Sequence, residues 1–297
     1  MKKESSATLF LIISKNMLHK PGRTISMRLC KKLVSHFGEM YLHEISRYHV
    51  ESYQSERSQQ VSVYTVNREL TILKGICTKA IDWGFLDKNP VKGVKLGKEK
   101  PRERFLNPEE IALLVESCGK EPAAPYLKSL VIIALLTGLR KKELLNLKRE
   151  EIYMDRDIIK IEEGKGGYRR FVPIHPTAKR EIARLLLKGK SEYLIHDRDG
   201  KPFRDTKKSF NSAVRRAGLK DVHFHDLRRT FGTLGAIDAR IDEKTLQKLL
   251  GHASIETTMK HYVMPTEENK KAGVNRLGDI MDSYMDTSKK EAIQKMA

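Results

Sequence analysis

The spacing of apolar residues along the chain predicts a mainly helical protein. Between residues 65 and 85, Val66, Leu70, Leu73 and Cys77 recur at intervals of three and four, which places them on one face of a helix. Residues 126–136 are almost entirely apolar, which predicts a buried helix. Further helices are expected at residues 45–55, 176–189, 205–218, 243–250, 254–263 and 265–285.

One segment between residues 151 and 174 departs from this helical pattern. Two short apolar runs, at 158–161 and 170–174, flank the sequence Gly-Lys-Gly-Gly at 164–167. Strands joined by a glycine-rich turn are typical of a β-hairpin, and this turn would display Lys165 at its tip. The fold class expected from these patterns is mainly α with a small antiparallel sheet.

The charge of the chain narrows the choice of partner. Lys and Arg outnumber Asp and Glu by 57 to 38, and the resulting net charge of +19 is divided between residues 1–100, with +9, and the remainder, with +10. A polyanion that contacts both halves is therefore expected, with nucleic acid favoured over an anionic membrane or an inert basic surface. The apolar run at residues 9–13 is too short to span a membrane.

The sequence indicates neither a disulfide framework nor a metal site. Its three cysteines are far apart and form no CxxC pair. His223 and His225 form an HxH pair, but no cysteine or third ligand lies near them, so zinc is not expected. Asp226, the one acid immediately beside the motifs described below, is expected to orient or cap rather than to bind Mg²⁺.

A basic stretch divides the chain. Residues 92–104, KGVKLGKEKPRER, have almost no apolar pattern, which is typical of an interdomain linker. Such a linker could be a solvated tether, and it could also run along a phosphate backbone. We expect the following division: a helical domain at 1–95, a linker at 96–104, a second domain at 105–285 and a polar tail at 286–297.

The C-terminal third holds the residues with the clearest chemistry. His225 and Arg228 are three apart, so on a helix they share one face. His252 follows Leu-Gly, which predicts the end of a helix, and Ser254 is suited to cap a short helix with Tyr262 near its end. Arginine binds phosphate oxygens and imidazole can accept a proton, so a phenol in that company is a candidate nucleophile at phosphorus.

A second arginine stands where the buried helix at 126–136 breaks. Thr-Gly-Leu-Arg follows at 137–140, where Gly138 is expected to end the helix and Arg140 to emerge from it. An arginine at the end of a buried helix is held more rigidly than one on a loop, which suits a phosphate clamp.

Four segments in this order, TGLR, GKGGYRRFVPI, HDLRRTF and LLGHASIETTMKHY, closely resemble the motifs of the tyrosine recombinase (phage integrase) family. The resemblance covers roughly residues 40–265 and is strongest in the C-terminal half. It implies a SAM-like, helical core-binding domain followed by an α+β catalytic domain. By motif position it also implies a catalytic set: Arg140, Lys165, His225, Arg228, His252 and, as the nucleophile, Tyr262.

The implied reaction cuts and rejoins DNA strands through a 3′-phosphotyrosyl intermediate, without metal or other cofactor. The two arginines and His252 would stabilise the charge that builds up on the phosphate oxygens. His225 would help to remove the proton of Tyr262, and Lys165 would donate a proton to the 5′-oxygen leaving group.

The resemblance further implies double-stranded DNA as partner, a homotetramer on DNA, and integration or excision of a mobile element. From the unpaired cysteines and the short apolar run we expect a cytoplasmic, nucleoid-associated protein without membrane contact. The basic residues expected to bind DNA are Lys74, Lys79, Lys95, Arg169 and Arg170. Three alternatives stay open: a type IB topoisomerase-like enzyme, a catalytically silent DNA-binding regulator and an RNA-binding structural protein. The complete catalytic set argues against the last two, and two-site strand joining would separate a recombinase from a topoisomerase.

Overall fold

The computed structural model describes residues 27–99, 102–121, 123–162, 169–188, 191–262 and 274. The chain divides into two compact units, Met1–Pro101 and Arg102–Ala297. Each unit has an apolar core of its own.

The described part of the first unit is helical. Its helices are α1 (Met27–Phe37), α2 (Arg47–Ser58) and α3 (Val63–Asp82). Ser62 caps α3, because its hydroxyl accepts the Thr65 amide. The predicted apolar stripe of α3 is confirmed, since Leu70, Leu73 and Cys77 have no exposed surface.

The start of the predicted linker is bound by the first unit, and its end is bound by the second. Asn67 on α3 donates from Nδ2 to the Gly97 carbonyl (2.9 Å) and accepts the Gly97 amide (3.0 Å). At the other end, Arg102 and Arg104 form ion pairs with carboxylates of the second unit. Both ends of the predicted linker are therefore bound to protein groups and are not free in solvent.

The second unit combines helices with a small sheet. Its helices are α4 (Pro108–Gly119), α5 (Leu127–Thr137), α6 (Lys141–Leu145), α7 (Pro176–Leu186), α8 (Lys207–Arg216), α9 (Phe224–Ile237), α10 (Glu243–Leu250) and α11 (Ile255–Tyr262). Helix α5 packs against α4, α7 and α9, which explains why its sequence is almost wholly apolar.

The sheet is antiparallel, with the strand order β1 (Ile152–Tyr153), β2 (Ile158–Glu162) and β3 (Arg169–Pro173). Ile159 pairs with Val172 and Ile161 with Arg170, and these four side chains face the interior of the unit. The predicted pair of strands is confirmed. Strand β1 was not predicted, because two residues are too short for a period of two to be recognised.

The expected fold class, mainly α with a small antiparallel sheet, is confirmed. Helix α10 has the predicted bounds, because Asp242 caps its start and Gly251 ends it in the left-handed conformation. Helix α3 ends at Asp82 and not near residue 85, because Trp83 leaves the helical conformation and Gly84 takes a φ of 76°.

No helix among the described residues is long and apolar enough to cross a bilayer. Apart from Val274, the helix expected at 265–285 lies outside the described residues, as does the tail at 286–297.

Candidate active site

Gly138 ends α5 and sets the start of α6, where Arg140 lies. Gly138 is left-handed (φ 63°, ψ 13°), and its amide donates to the Ala134 carbonyl at 3.0 Å. A Cβ at this position would lie 2.5 Å from a ring carbon of Phe231, so glycine suits both the backbone and the space. Arg140 follows in extended conformation (φ −65°, ψ 146°) as the N-cap of α6.

Arg228 is a buried cation, with 2% of its surface exposed. It lies on α9, three residues after His225, as the sequence predicted. Its Nη1 donates to the Gly138 carbonyl at 2.7 Å and its Nη2 to the Leu250 carbonyl at 2.5 Å. Such acceptors are required, because a guanidinium removed from water without partners is costly.

The end of α10 holds both arginines. Arg140 donates from Nη2 to the Gly251 carbonyl at 2.5 Å, and Arg228 binds the preceding carbonyl, that of Leu250. The last carbonyls of a helix lack partners within the helix and carry the negative end of its dipole, so they suit cations. The two guanidinium groups are therefore brought together by consecutive carbonyls.

His252 follows directly after these two carbonyls. Its amide donates to the Gln247 carbonyl at 3.1 Å, which completes the reversal of the chain that Gly251 begins. The ring Nδ1 lies 2.8 Å from the hydroxyl of Thr258, a residue of α11 with no exposed surface. Thr258 thereby orients the imidazole.

His225 lies in the first turn of α9 and keeps part of its surface exposed. Its pKa is lowered from the ordinary value, first by partial loss of hydration and then by the positive charges of Arg228, Arg229 and Arg140. The carboxylate of Asp226 opposes this shift. A lowered pKa keeps the imidazole neutral at pH 7, the form that accepts a proton.

The sequence interpretation missed an acid within this cluster, Glu143. It accepts the Arg140 amide at 2.7 Å, Arg140 Nη1 at 2.8 Å and Arg170 Nη2 at 2.7 Å. Burial opposes the ionised form of Glu143, but the bonds from Arg170 and Arg140 outweigh it, and the pKa of the carboxyl is lowered. The sequence contained a signal for the contact between Glu143 and the Arg140 amide, because an acid three residues after a helix N-cap is the capping-box pattern.

Arg170 was predicted to contact DNA. Its side chain lies against Glu143 with 9% of its surface exposed, so the structure places it among the residues around Arg140. The other predicted DNA contacts lie nearer the surface: Lys74 and Lys95 are exposed, Lys79 pairs with Asp82 on α3, and Arg169 is 3.7 Å from Glu162. Exposed ion pairs are weak, so they leave these cations available to a phosphate.

Tyr262 is the last residue of α11, and this helix packs against α9 and α10. The structure thus brings Arg140, His225, Arg228 and His252 together. The helix that ends at Tyr262 packs against α9, which carries His225 and Arg228, and against α10, whose last carbonyls bind the two arginines. Lys165 lies outside the described residues, between β2 and β3 in the sequence. Within the described part of the chain, no three His, Cys, Asp or Glu side chains are grouped as a metal site would require.

Known proteins share this sequence pattern and fold. The profile of the phage integrase family matches residues 104–269. Tyrosine recombinase XerC of Staphylococcus epidermidis is 32% identical over 233 residues, which cover 73% of this chain and 77% of that protein.

Two solved structures resemble the chain in fold. The Tn1549 transposon integrase in complex with a circular intermediate DNA has a TM-score of 0.76 at 19% identity and covers 92% of this chain and 99% of its own. A lambda integrase tetramer bound to a Holliday junction has a TM-score of 0.75 at 18% identity and covers 88% of this chain and 78% of its own.

The fold and the group of arginines and histidines define a catalytic domain of the tyrosine recombinase type. The chain belongs to the phage integrase family, whose profile matches more than half of its length. Its enzyme class is accordingly that of the tyrosine site-specific recombinases.

Proposed function

We propose that the protein cuts and rejoins DNA strands through a covalent bond between Tyr262 and a 3′-phosphate. One observation carries the proposal: the guanidinium groups of Arg140 and Arg228 are held on consecutive carbonyls at the end of α10. His252 follows these carbonyls, and α11, which ends at Tyr262, packs against the same helices. A phosphodiester bound by the two arginines would therefore lie among the elements that carry the tyrosine.

Charge on the phosphate oxygens is greatest in the transition state of the transfer, and there the two arginines and His252 would stabilise it. His225, neutral at pH 7 because its pKa is lowered, would take the proton of Tyr262. The bond between phosphorus and the 5′-oxygen breaks as the tyrosyl bond forms. By its motif position, Lys165 would protonate that oxygen.

Rejoining is the reverse reaction, carried out by a second 5′-hydroxyl. The phosphotyrosyl link conserves the energy of the broken bond, so no cofactor is needed to close the strand. Glu143 would act as a positioning residue, because it binds the backbone amide and the guanidinium of Arg140 and is itself held by Arg170.

DNA would be bound by basic surfaces on both units. In the first unit these are Lys74 and Lys79 on α3, followed by Lys95. In the second unit, Arg169 lies exposed on β3. Helix α8 also presents exposed cations, among them Lys207, Lys208 and Arg215. Their number and the net charge of +19 support contact with a polyanion.

We further propose a homotetramer on DNA as the active assembly, by analogy with the lambda integrase tetramer bound to a Holliday junction. Integration or excision of a mobile element is the reaction we favour, because a transposon integrase shares the fold. Such a protein would act on DNA of the nucleoid, in the cytoplasm.

A nicked suicide substrate tests the assignment of the nucleophile. Cleavage of this DNA releases a short fragment that cannot rejoin, so the covalent complex accumulates and shifts on a denaturing gel. Wild type should form the shifted band. Tyr262→Phe should form none while still binding DNA, because only the hydroxyl is removed. Tyr284→Phe, beyond the motif, is the matched control and should behave as wild type.

An adduct formed by Tyr262→Phe would show that another residue attacks the phosphate. No adduct with wild type on its cognate site would favour the silent DNA-binding protein. If adducts form and supercoiled DNA is relaxed, but strands from two sites are never joined, the enzyme is of the topoisomerase type.

A further inference from the structure

The last part of the basic linker reaches the first turn of α9. Arg102 donates from Nε to Asp226 Oδ1 at 3.0 Å and from Nη2 to Asp226 Oδ2 at 2.7 Å. This two-pronged geometry is the strongest form of arginine–carboxylate pairing. Nη1 binds the Asp221 carboxylate at 2.8 Å, and Nη2 also contacts the Asp221 carbonyl. All three guanidinium nitrogen atoms are thus engaged within the second unit.

Asp226 lies between His225 and Arg228 in the sequence and has 1% of its surface exposed. It also accepts the His223 amide at 2.8 Å, which caps the start of α9. A carboxylate buried to this degree requires a cation, and Arg102, with 30% of its side chain exposed, supplies it.

A second contact joins the segment after Arg102 to α9. The Leu106 amide donates to the Thr230 hydroxyl at 2.9 Å, and that hydroxyl donates to the Asp226 carbonyl at 2.8 Å. The chain from Arg102 to Leu106 is therefore hydrogen-bonded along one side of α9, over the turn that carries both predicted catalytic side chains.

We propose that Arg102 is a positioning residue of the active site, which holds Asp226 and thereby fixes the first turn of α9 with His225 and Arg228. The inference rests on the roles proposed above for these two residues. A cation in a basic linker would ordinarily be assigned to a DNA phosphate, but the guanidinium of Arg102 is already occupied.

Arg102→Gln separates positioning from DNA binding, and Arg104→Gln is its matched control. Arg104 lies in the same stretch but hydrogen-bonds Glu110 at the start of α4, and it acts on Asp226 through its charge alone. With enzyme in excess over the suicide substrate, Arg102→Gln should slow adduct formation by about 10- to 100-fold, since a small misplacement of catalytic groups has that effect. The Kd for DNA should stay unchanged. Arg104→Gln should keep both the rate and the affinity.

The pKa of His225 provides a readout that does not depend on catalysis. The described charged groups that act on His225 are Arg140, Arg228, Arg229 and Asp226. Without Arg102, the negative charge of Asp226 acts on the imidazole uncompensated and favours its protonated form. The pKa of His225, followed by NMR titration of the full chain, should rise in Arg102→Gln and not in Arg104→Gln. The acidic limb of the cleavage rate should move to higher pH with it.

Two further variants make the outcome decisive. In an Asp226→Asn background, Arg102→Gln should have little additional effect, because the partner through which it acts is gone. If Arg102→Gln does not fold, Arg102→Lys, which keeps the charge but lacks the two-pronged geometry, should show the loss of rate at unchanged affinity.

An unchanged pKa of His225, or a loss of DNA affinity as large as the loss of rate, would overturn the proposal. Absence of any adduct in wild type would instead overturn the proposed chemistry and leave the NMR result to decide on Arg102.

Discussion

The two arginines of the site bind neighbouring carbonyls but differ in their surroundings. Arg228 is buried, whereas 40% of the Arg140 side chain is exposed. A buried guanidinium with fixed acceptors is preorganised for a phosphate, because little has to move when charge develops. Arg140 keeps more of its surface accessible to a bound phosphate, while Glu143 and the Gly251 carbonyl hold its guanidinium.

Glu143→Gln should lower the free energy of unfolding by about 3 kcal/mol, because it removes the carboxylate that Arg140 and Arg170 share in a poorly hydrated place. Denaturant titration at neutral pH measures the loss. Since the folded-state pKa of Glu143 is lowered, its stabilising effect is complete above the ordinary carboxyl pKa and disappears as the pH falls through the folded value. The difference from wild type should therefore shrink below about pH 4.3.

Glu116→Gln is the matched control for Glu143→Gln. Glu116 also pairs with a cation, Lys120, but both side chains are well exposed. Its replacement should change the unfolding curve little, because exposed pairs contribute little. Equal losses for Glu116→Gln and Glu143→Gln would contradict the importance assigned to burial.

Among the secondary-structure elements, two helix ends position predicted catalytic groups. Helices α5 and α10 both end in a left-handed glycine, Gly138 and Gly251, and each is followed within two residues by a predicted catalytic side chain. The carbonyl of Gly138 also accepts Arg228. A helix end fixes direction more firmly than a loop, because its carbonyls and caps are set by the preceding turn.

Gly138→Ala should destabilise the protein by about 3 kcal/mol, because a Cβ would meet the Phe231 ring in addition to the strained backbone. Adduct formation should slow as well, since the carbonyl that holds Arg228 would shift. Gly218→Ala is the control: Gly218 has a φ of 70°, but no atom would contact its Cβ within 4 Å. It should cost about 1 kcal/mol and leave cleavage unchanged. A similar loss for both variants would contradict the role of the Phe231 contact.

For the whole molecule, the net charge of +19 governs the interaction with DNA. Each neutralised phosphate contributes about −0.9 to the slope of log K against log salt, so about six contacts would give a slope near −5. Binding titrations between low and moderate salt measure this slope. The double variant Lys208→Gln/Arg215→Gln on α8 should reduce its magnitude by about 2.

Lys120→Gln serves as the control for charge alone. Lys120 directly follows α4, outside the basic surfaces proposed to bind DNA, so its replacement should leave the slope as it is. A wild-type slope near zero would contradict binding of DNA through its phosphates.

Local signals in the sequence predict the secondary-structure elements and the types of residue in the site. The three-and-four spacing of α3, the glycine that ends α10 and the Ser254 hydroxyl that accepts the Glu256 amide at the start of α11 all act within a few residues. Such local signals can be recognised without a fold, because hydrogen bonds and side-chain sizes decide them over one or two turns. The four motifs similarly name the residue types that phosphate chemistry needs.

The partners of the charged groups in the site became known only from the packing of distant segments. Arg228 binds a carbonyl 90 positions away, and Arg102 binds a carboxylate 124 positions away. Glu143 joins Arg170 of a strand to Arg140 of a helix end. Periodicity indicates which face of a helix is apolar but not which element covers it, and a buried charge finds its partner only when distant segments pack. For that reason Arg102 and Arg170, which by composition resemble DNA-binding cations, are instead held within the second unit.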